Sequence, residues 1–161
     1  MRRTPVRRLA LVALAVTAVV HPVLRVVESR GGTLLPVPLL AVLVVLGIAG
    51  VVLRLGWSVR QYTRGEKPGL DPLLAARTVV LATASAYTGA LLTGWYLAHA
   101  LVPLGDLGIE ARRDLALSAG VAGLATVGLV VAGLVVERWC EIRRDEDDPG
   151  AADAEATGNP V

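Results

Sequence analysis

LLAVLVVL, Leu39 to Leu46, sets eight apolar residues in a row, with no polar residue at alternate positions. A strand of a membrane barrel alternates lipid-facing and lumen-facing residues, so this run does not read as a strand. It lies inside a longer block, Gly31 to Leu53, that has no Asp, Glu, Lys or Arg in its 23 residues. A helix needs roughly 20 residues to cross about 30 Å of hydrocarbon. Three more charge-free blocks follow the same rule: Leu9 to Leu24, Thr78 to Gly105 and Leu115 to Val136, of 16, 28 and 22 residues. In lipid every backbone polar group must be satisfied within the protein, which leaves helices. Apolar residues make up 54% of the 161-residue chain, above the roughly 45–50% of soluble domains.

The first block is short for a span. A helix there is expected to begin earlier, with Thr4 as N-cap and Pro5 at the first position, and to run past Arg25 toward Val27. Arg7, Arg8 and Arg25 would then snorkel to the interfaces. The rival is a cleaved signal peptide, with Met1 to Arg8 as n-region and Leu9 to Val20 as h-region. His21, Pro22, Val23 and Leu24 follow in place of a small-x-small cleavage site, which favours the uncleaved helix.

Basic residues near membrane ends are retained on the cytoplasmic side. Twelve fall on one side: Arg2, Arg3, Arg7 and Arg8; Arg54, Arg60, Arg64, Lys67 and Arg77; Arg138, Arg143 and Arg144. Four fall on the other: Arg25, Arg30, Arg112 and Arg113. The expected fold is therefore an all-α integral membrane four-helix bundle with both termini in the cytoplasm, in the plasma membrane. Its spans are about 6–25, 34–55, 78–101 and 115–136, with a cytoplasmic loop over 56–77. Trp57, Tyr62 and Trp139 read as anchors at the inner interface, and Trp95 with Tyr96 as anchors near the outer one. Scattered around the membrane ends, the basic residues form no nucleic-acid surface.

Helix two is expected to start near Leu34 or Leu35, with Pro36 and Pro38 in its first turns, and to continue to about Thr63. Gly65 and Pro68-Gly69 break it. Asp71 followed by Pro72 predicts an N-cap and a start of helix three at Pro72. Pro103 and Gly105 end that helix near Val102, and Asp106 or Gly108 leads into helix four. Residues 1–144 form the transmembrane domain; 145–161, with Asp145 to Asp148 and then Pro149-Gly150, read as a disordered acidic cytoplasmic tail.

No hydrophobic drive operates between helices in lipid, so small residues have to mediate packing. Helix three offers Ser85, Gly89 and Thr93, flanked by Ala82, Ala86, Ala90 and Gly94. Helix four offers Ser118, Ala122, Ala125, Thr126 and Gly133, and helix two Gly47 and Gly50. Spacing alone leaves two uses open, packing within one bundle and self-association.

Residues that could carry chemistry are few. His21 and His99 fall near the same outer interface, which makes a shared proton or metal site conceivable, yet no Cys, Asp or Glu stands at ligand spacing. The Ser and Thr hydroxyls of helix three can line a polar path or bond back to the preceding turn. No Asp, Glu, Lys or Arg lies at the predicted midplane of any helix, which argues against a coupled pump. Neither HExxH nor GxSxG occurs, and Cys140 is the single cysteine. The expectation is no enzyme and no cofactor. Asp71 and Arg77, at the start of helix three, are candidate interface residues, Arg77 being able to reach lipid phosphates.

Gly69-Leu70-Asp71-Pro72-Leu73-Leu74-Ala75-Ala76-Arg77-Thr78, then Leu81 to Ser85, Gly89-Ala90, Gly94-Trp95-Tyr96 and Val136-Glu137-Arg138-Trp139-Cys140 are more specific. Together they resemble the actinobacterial domain-of-unknown-function family 3180, small four-helix membrane proteins, over roughly Arg3 to Arg143. Many members have a Lys where this chain has Thr83, so a role built on that Lys does not carry over. The resemblance implies a plasma membrane protein and supplies no active site. The expected role is a non-enzymatic accessory or scaffold subunit of a membrane complex. The alternative is an oligomeric small-solute transporter or pore. Expected partners are the lipid bilayer and either another membrane protein or a second copy of the chain.

Overall fold

Four long helices account for most of the residues that the computed structural model describes, 5–33, 35–63 and 72–139. They are α1 (Val6–Ser29), α2 (Leu39–Thr63), α3 (Pro72–Leu101) and α4 (Glu110–Trp139), with a 3-10 turn over Val102–Asp106 between the last two. Among the described residues there is no strand. Three helices are long and apolar enough to cross a membrane: α1, α4, and α2 as far as Gln61. The 30 residues of α3 give it the length, about 45 Å at 1.5 Å per residue. Thr83, Ser85, Tyr87, Thr88 and Thr93 dilute its apolar content.

The helix ends follow local chemistry. α1 begins one residue later than expected: Pro5 is its N-cap, in extended conformation, and Val6 is its first residue. It ends in a Schellman motif, with Gly31 in the left-handed region at φ 82°. There the Gly32 amide donates to the Val27 carbonyl and the Gly31 amide to that of Glu28, both at 3.0 Å. The expected start of α2 at Leu34 or Leu35 is corrected to Leu39. Each proline disfavours helical geometry in the residue before it, so Pro36 and Pro38 keep Leu35 and Val37 out of the helix. The first turn then closes from the Ala41 amide to the Pro38 carbonyl. α3 begins at Pro72, as the sequence predicts, and gives way after Leu101 to the 3-10 turn that contains Pro103. The proposed caps Thr4 and Asp71, the breakers Gly65 and Pro68-Gly69, Cys140 and the acidic tail lie outside the described residues.

The helices are not arranged as a closed square. α3 and α4 form the central pair, α1 packs on α3, and α2 packs on α4 and more lightly on α3; α1 and α2 do not meet. Contacts set the directions. Leu9 packs with Ala86 and Ala90, and Leu24 with Ala98 and Val102, so α1 and α3 run parallel. Val42, Val45 and Ala49 meet Ala122, Ala125, Leu129 and Ala132, which makes α2 and α4 parallel as well. Leu134 near the end of α4 joins the Leu9 cluster. The start of α1 and the ends of α2 and α4 thus share one end of the bundle. Large apolar residues remain exposed along α1 (Leu11, Leu14, Val19, Val23) and α2 (Leu39, Leu40, Leu43, Val44, Val51). Such a surface is suited to hydrocarbon and not to water.

Candidate functional site

The α3–α4 seam is where most of the candidate residues gather. A Cβ at Gly133 would lie 2.6 Å from the Ala82 carbonyl oxygen and 2.9 Å from the Ala86 nitrogen. One at Gly89 would lie 2.8 Å from Val130 Cγ2 and 3.1 Å from the Thr126 carbonyl oxygen. Both glycines bring backbone against backbone, the close approach that membrane helices use in place of a hydrophobic drive.

Between these two contacts and the far end of the seam sits a hydroxyl pair. Thr93 Oγ1 lies 3.0 Å from Thr126 Oγ1, 2.7 Å from the Gly89 carbonyl, and Thr126 Oγ1 lies 2.7 Å from the Gly123 carbonyl. Two hydroxyl hydrogens serve three contacts, so one hydroxyl donates across the seam while the other returns its hydrogen to its own helix. Thr126 is fully buried, and Ser85 is buried one turn before Gly89. The pair is satisfied without water, which makes it a fastening between α3 and α4.

The small residues of α3 divide between two partners. Ala82, Gly89 and Thr93 face α4, whereas Gly94 faces α1, where an added Cβ would meet the Ala13 carbonyl oxygen and Val16. Thr17 Oγ1 is placed to donate both to its own Ala13 carbonyl at 2.9 Å and to the Gly94 carbonyl at 3.1 Å. Sequence reasoning did not single out Thr17. The available signal was that it is the lone hydroxyl between Val6 and Glu28.

On the other flank, Ser118 accepts a hydrogen bond from the Val37 amide at 3.2 Å and donates to the Leu115 carbonyl at 3.1 Å. A side chain of α4 thereby satisfies an amide just ahead of α2. Ala122 is buried against α2 in the cluster built on Val42, Val45 and Ala49. Packing of Gly47 and Gly50 within the bundle, one of the two uses expected of them, is corrected: both are exposed, with nothing within 4 Å of an added Cβ. The glycine of α2 that meets α4 is Gly56, where an added Cβ would strike Val136.

His99 Nδ1 is 3.0 Å from the Trp95 carbonyl of its own helix, and its ring tilts against Trp95 with centroids 4.8 Å apart. His21 Nδ1 is buried with no hydrogen-bond partner among the described residues. Among those residues no three His, Cys, Asp or Glu side chains gather as a metal set. Arg77 is exposed on α3, and Asp71 lies outside the described residues.

At the end of the bundle away from the N-terminus, Arg112 joins three elements. Its Nη2 is 2.7 Å from Glu28 Oε1 at the end of α1, and its Nη1 is 3.4 Å from Asp106 Oδ2 in the 3-10 turn. A cleft of about 270 Å³ opens beside it, lined by Glu28, Thr33, Pro103 and Leu115 among others. The sequence had marked Arg112 only as a charge that sets orientation.

A family described as "Protein of unknown function (DUF3180)" matches residues 9–144, from the first turns of α1 to beyond α4. The chain belongs to this family. Its matched region takes in the whole α3–α4 seam and both flanking helices. No curated protein and no solved structure gives a significant match.

Proposed function

We propose that this protein is a non-enzymatic accessory or scaffold subunit of a membrane complex, held in the plasma membrane by four transmembrane helices. The carrying observation is the closed α3–α4 seam beside the open apolar faces of α1 and α2. The centre of the protomer is filled by Ala, Gly and satisfied hydroxyls, whereas its flanks stay available to lipid or to another membrane protein. α3 is counted as a span because its hydroxyls are largely covered. Of the Ser and Thr side chains from Thr78 to Thr93, Thr88 alone is exposed.

Both termini are assigned to the cytoplasm. Arg7, Arg8, Arg54, Arg60, Arg77 and Arg138 share the end of the bundle where α1 starts and α4 finishes, and the basic-inside rule then orients it. An actinobacterial plasma membrane fits the family resemblance. A pore built by several copies would need a polar face pointing out of the protomer, and a single exposed Thr does not provide one.

The test is the mass of the full chain in nanodiscs, taken with mass-spectrometric identification of whatever co-purifies from native membrane. A protomer bound to one recurrent membrane protein is the expected result. A stable homo-oligomer with no partner would overturn the scaffold reading in favour of the pore or transporter.

A further inference from the structure

The two ends of the bundle differ in charge. At the end away from the N-terminus, Arg25, Arg30, Arg112 and Arg113 meet Glu28, Asp106, Glu110 and Asp114, four against four. At the end where α1 starts and α4 finishes, the described residues carry six arginines (Arg7, Arg8, Arg54, Arg60, Arg77 and Arg138) and one carboxylate, Glu137. That end has an excess of five positive charges. Arg60 is already engaged: its guanidinium lies 5.6 Å from the Trp57 ring centroid and 4.9 Å from that of Trp139, and it has a further interaction besides. Glu137 is half-buried and engaged as well. The other five arginines are exposed, and among the described residues no carboxylate pairs with any of them.

The compensating charge is in the same chain. Residues 140–161 carry seven Asp and Glu against Arg143 and Arg144, an excess of five negative charges, and four of the seven follow one another from Asp145 to Asp148. Residues 64–71 are balanced, Arg64 and Lys67 against Glu66 and Asp71, and Arg2 and Arg3 enlarge the basic side. Because α4 finishes at the basic end, the acidic run leaves the bundle there. Asp145 is six residues beyond Trp139 and Asp148 is nine. At about 3.4 Å per extended residue they reach at most about 20 and 30 Å. Packed helices lie about 8–10 Å apart, and α1 is two such steps from α4 by way of α3, so the arginines of all four helices are within reach.

We infer that the acidic run Asp145 to Asp148 docks on the exposed arginines Arg7, Arg8, Arg77 and Arg138 and covers the basic end of the bundle. Arg54 starts one turn before Trp57, deeper toward the hydrocarbon, and is not needed. The tether favours this occupant over a free one, because a short linker holds the run at an effective concentration in the millimolar range. Guanidinium is matched to carboxylate by its fork of donors. One exposed pair shifts a docked-to-free ratio by no more than about fivefold, so several pairs share the hold, and salt weakens it. An acidic partner or an anionic lipid that uses these arginines must first displace the run. The inference needs only that α4 finishes where α1 starts, so it stands apart from the scaffold reading.

The full chain is labelled with nitroxides at Val6→Cys, an exposed position at the start of α1, and at Ala151→Cys, with Cys140→Ser to remove the native thiol. It is placed in phosphatidylcholine nanodiscs, and the distance between the labels is read by double electron–electron resonance. At 0.1 M salt a narrow distribution is expected. At 1 M, where the Debye length falls from about 10 Å to about 3 Å, it should broaden to that of a free chain. Asp145→Asn, Glu146→Gln, Asp147→Asn and Asp148→Asn together change no residue of the helices and should broaden it at 0.1 M as well. Arg7→Gln with Arg8→Gln should lower the docked-to-free ratio, by up to about fivefold for each charge removed, and Arg113→Gln, at the opposite end, should leave it unchanged. A broad distribution in the labelled parent, a narrow one that survives 1 M salt or the acidic substitutions, or an equal loss in Arg113→Gln would overturn the inference. So would a distribution that broadens when half of the lipid is phosphatidylglycerol, since the arginines would then belong to lipid. Should the arginine variant fail to fold, the salt series and the acidic substitutions decide. A chain that does not enter the nanodisc refutes the membrane reading instead, and the same distance measured in detergent still decides the docking.

Discussion

Gly133→Ala tests whether the α3–α4 seam is as tight as its geometry indicates. The new Cβ would lie 2.6 Å from the Ala82 carbonyl oxygen and 2.9 Å from the Ala86 nitrogen. Ordinary contact begins near 3.4 Å, so the backbones must separate by about 0.8 Å at this level. Neither atom can swing aside, because both belong to the backbone of α3. Overpacking of this kind costs about 1–3 kcal/mol. A glycine-to-alanine change also gains up to about 1 kcal/mol in helix propensity, which has to be separated out. Gly128→Ala provides that control. It lies on the same helix, is exposed, and has nothing within 4 Å of an added Cβ. The propensity gain is common to both variants, so their difference isolates the steric cost: Gly133→Ala should be less stable than Gly128→Ala by about 1–3 kcal/mol. Detergent-driven unfolding in mixed micelles, followed by circular dichroism, measures it. Two variants within about 0.5 kcal/mol of each other would refute the close approach of α3 and α4 at Gly133.

Ser118→Ala should cost about 1 kcal/mol, as loss of a helix-start acceptor does, and should speed hydrogen exchange of the Val37 amide, which then has no side-chain oxygen to bond. Thr93→Val and Thr126→Val should each cost about 0.6 kcal/mol, the mean for a bond between membrane helices. The double variant should cost less than the sum in an unfolding-based mutant cycle, since both changes remove the same bond. Arg112→Gln should cost no more than about 1 kcal/mol, because Arg112 and Glu28 are 30% and 25% exposed, and the difference from wild type should shrink in high salt.

Much of the helix layout could be read from the chain. Charge-free blocks located the helices, and Asp71-Pro72 placed the start of α3. The start of α2 was misplaced because a proline is tolerated in a first turn, but Pro36 and Pro38 together restrict two preceding residues as well. The small residues were seen, but not their partners. Gly47 and Gly50 look like packing residues in the sequence and are open in the fold, while Gly56, unremarked in the sequence, meets Val136. Gly94 looked like a neighbour of the Ser85, Gly89 and Thr93 stripe, yet it faces α1 and leaves the α4 contact to Gly89.

By itself the sequence determined that the chain is helical and built for lipid, because hydropathy along a chain is a one-dimensional property that needs no knowledge of neighbours. It also determined which helix ends carry the basic residues. Only the tertiary structure decided that α3 and α4 form the centre, with α1 and α2 on the flanks and out of contact with each other. A helix advances about 100° per residue, so α3, with small residues on more than one face, has several faces equally suited to close approach. Which of them meets α4 and which meets α1 is settled where a carbonyl, a hydroxyl and the absence of a Cβ coincide: at Gly133 against Ala82, at Thr93 against Thr126, and at Gly94 against Thr17.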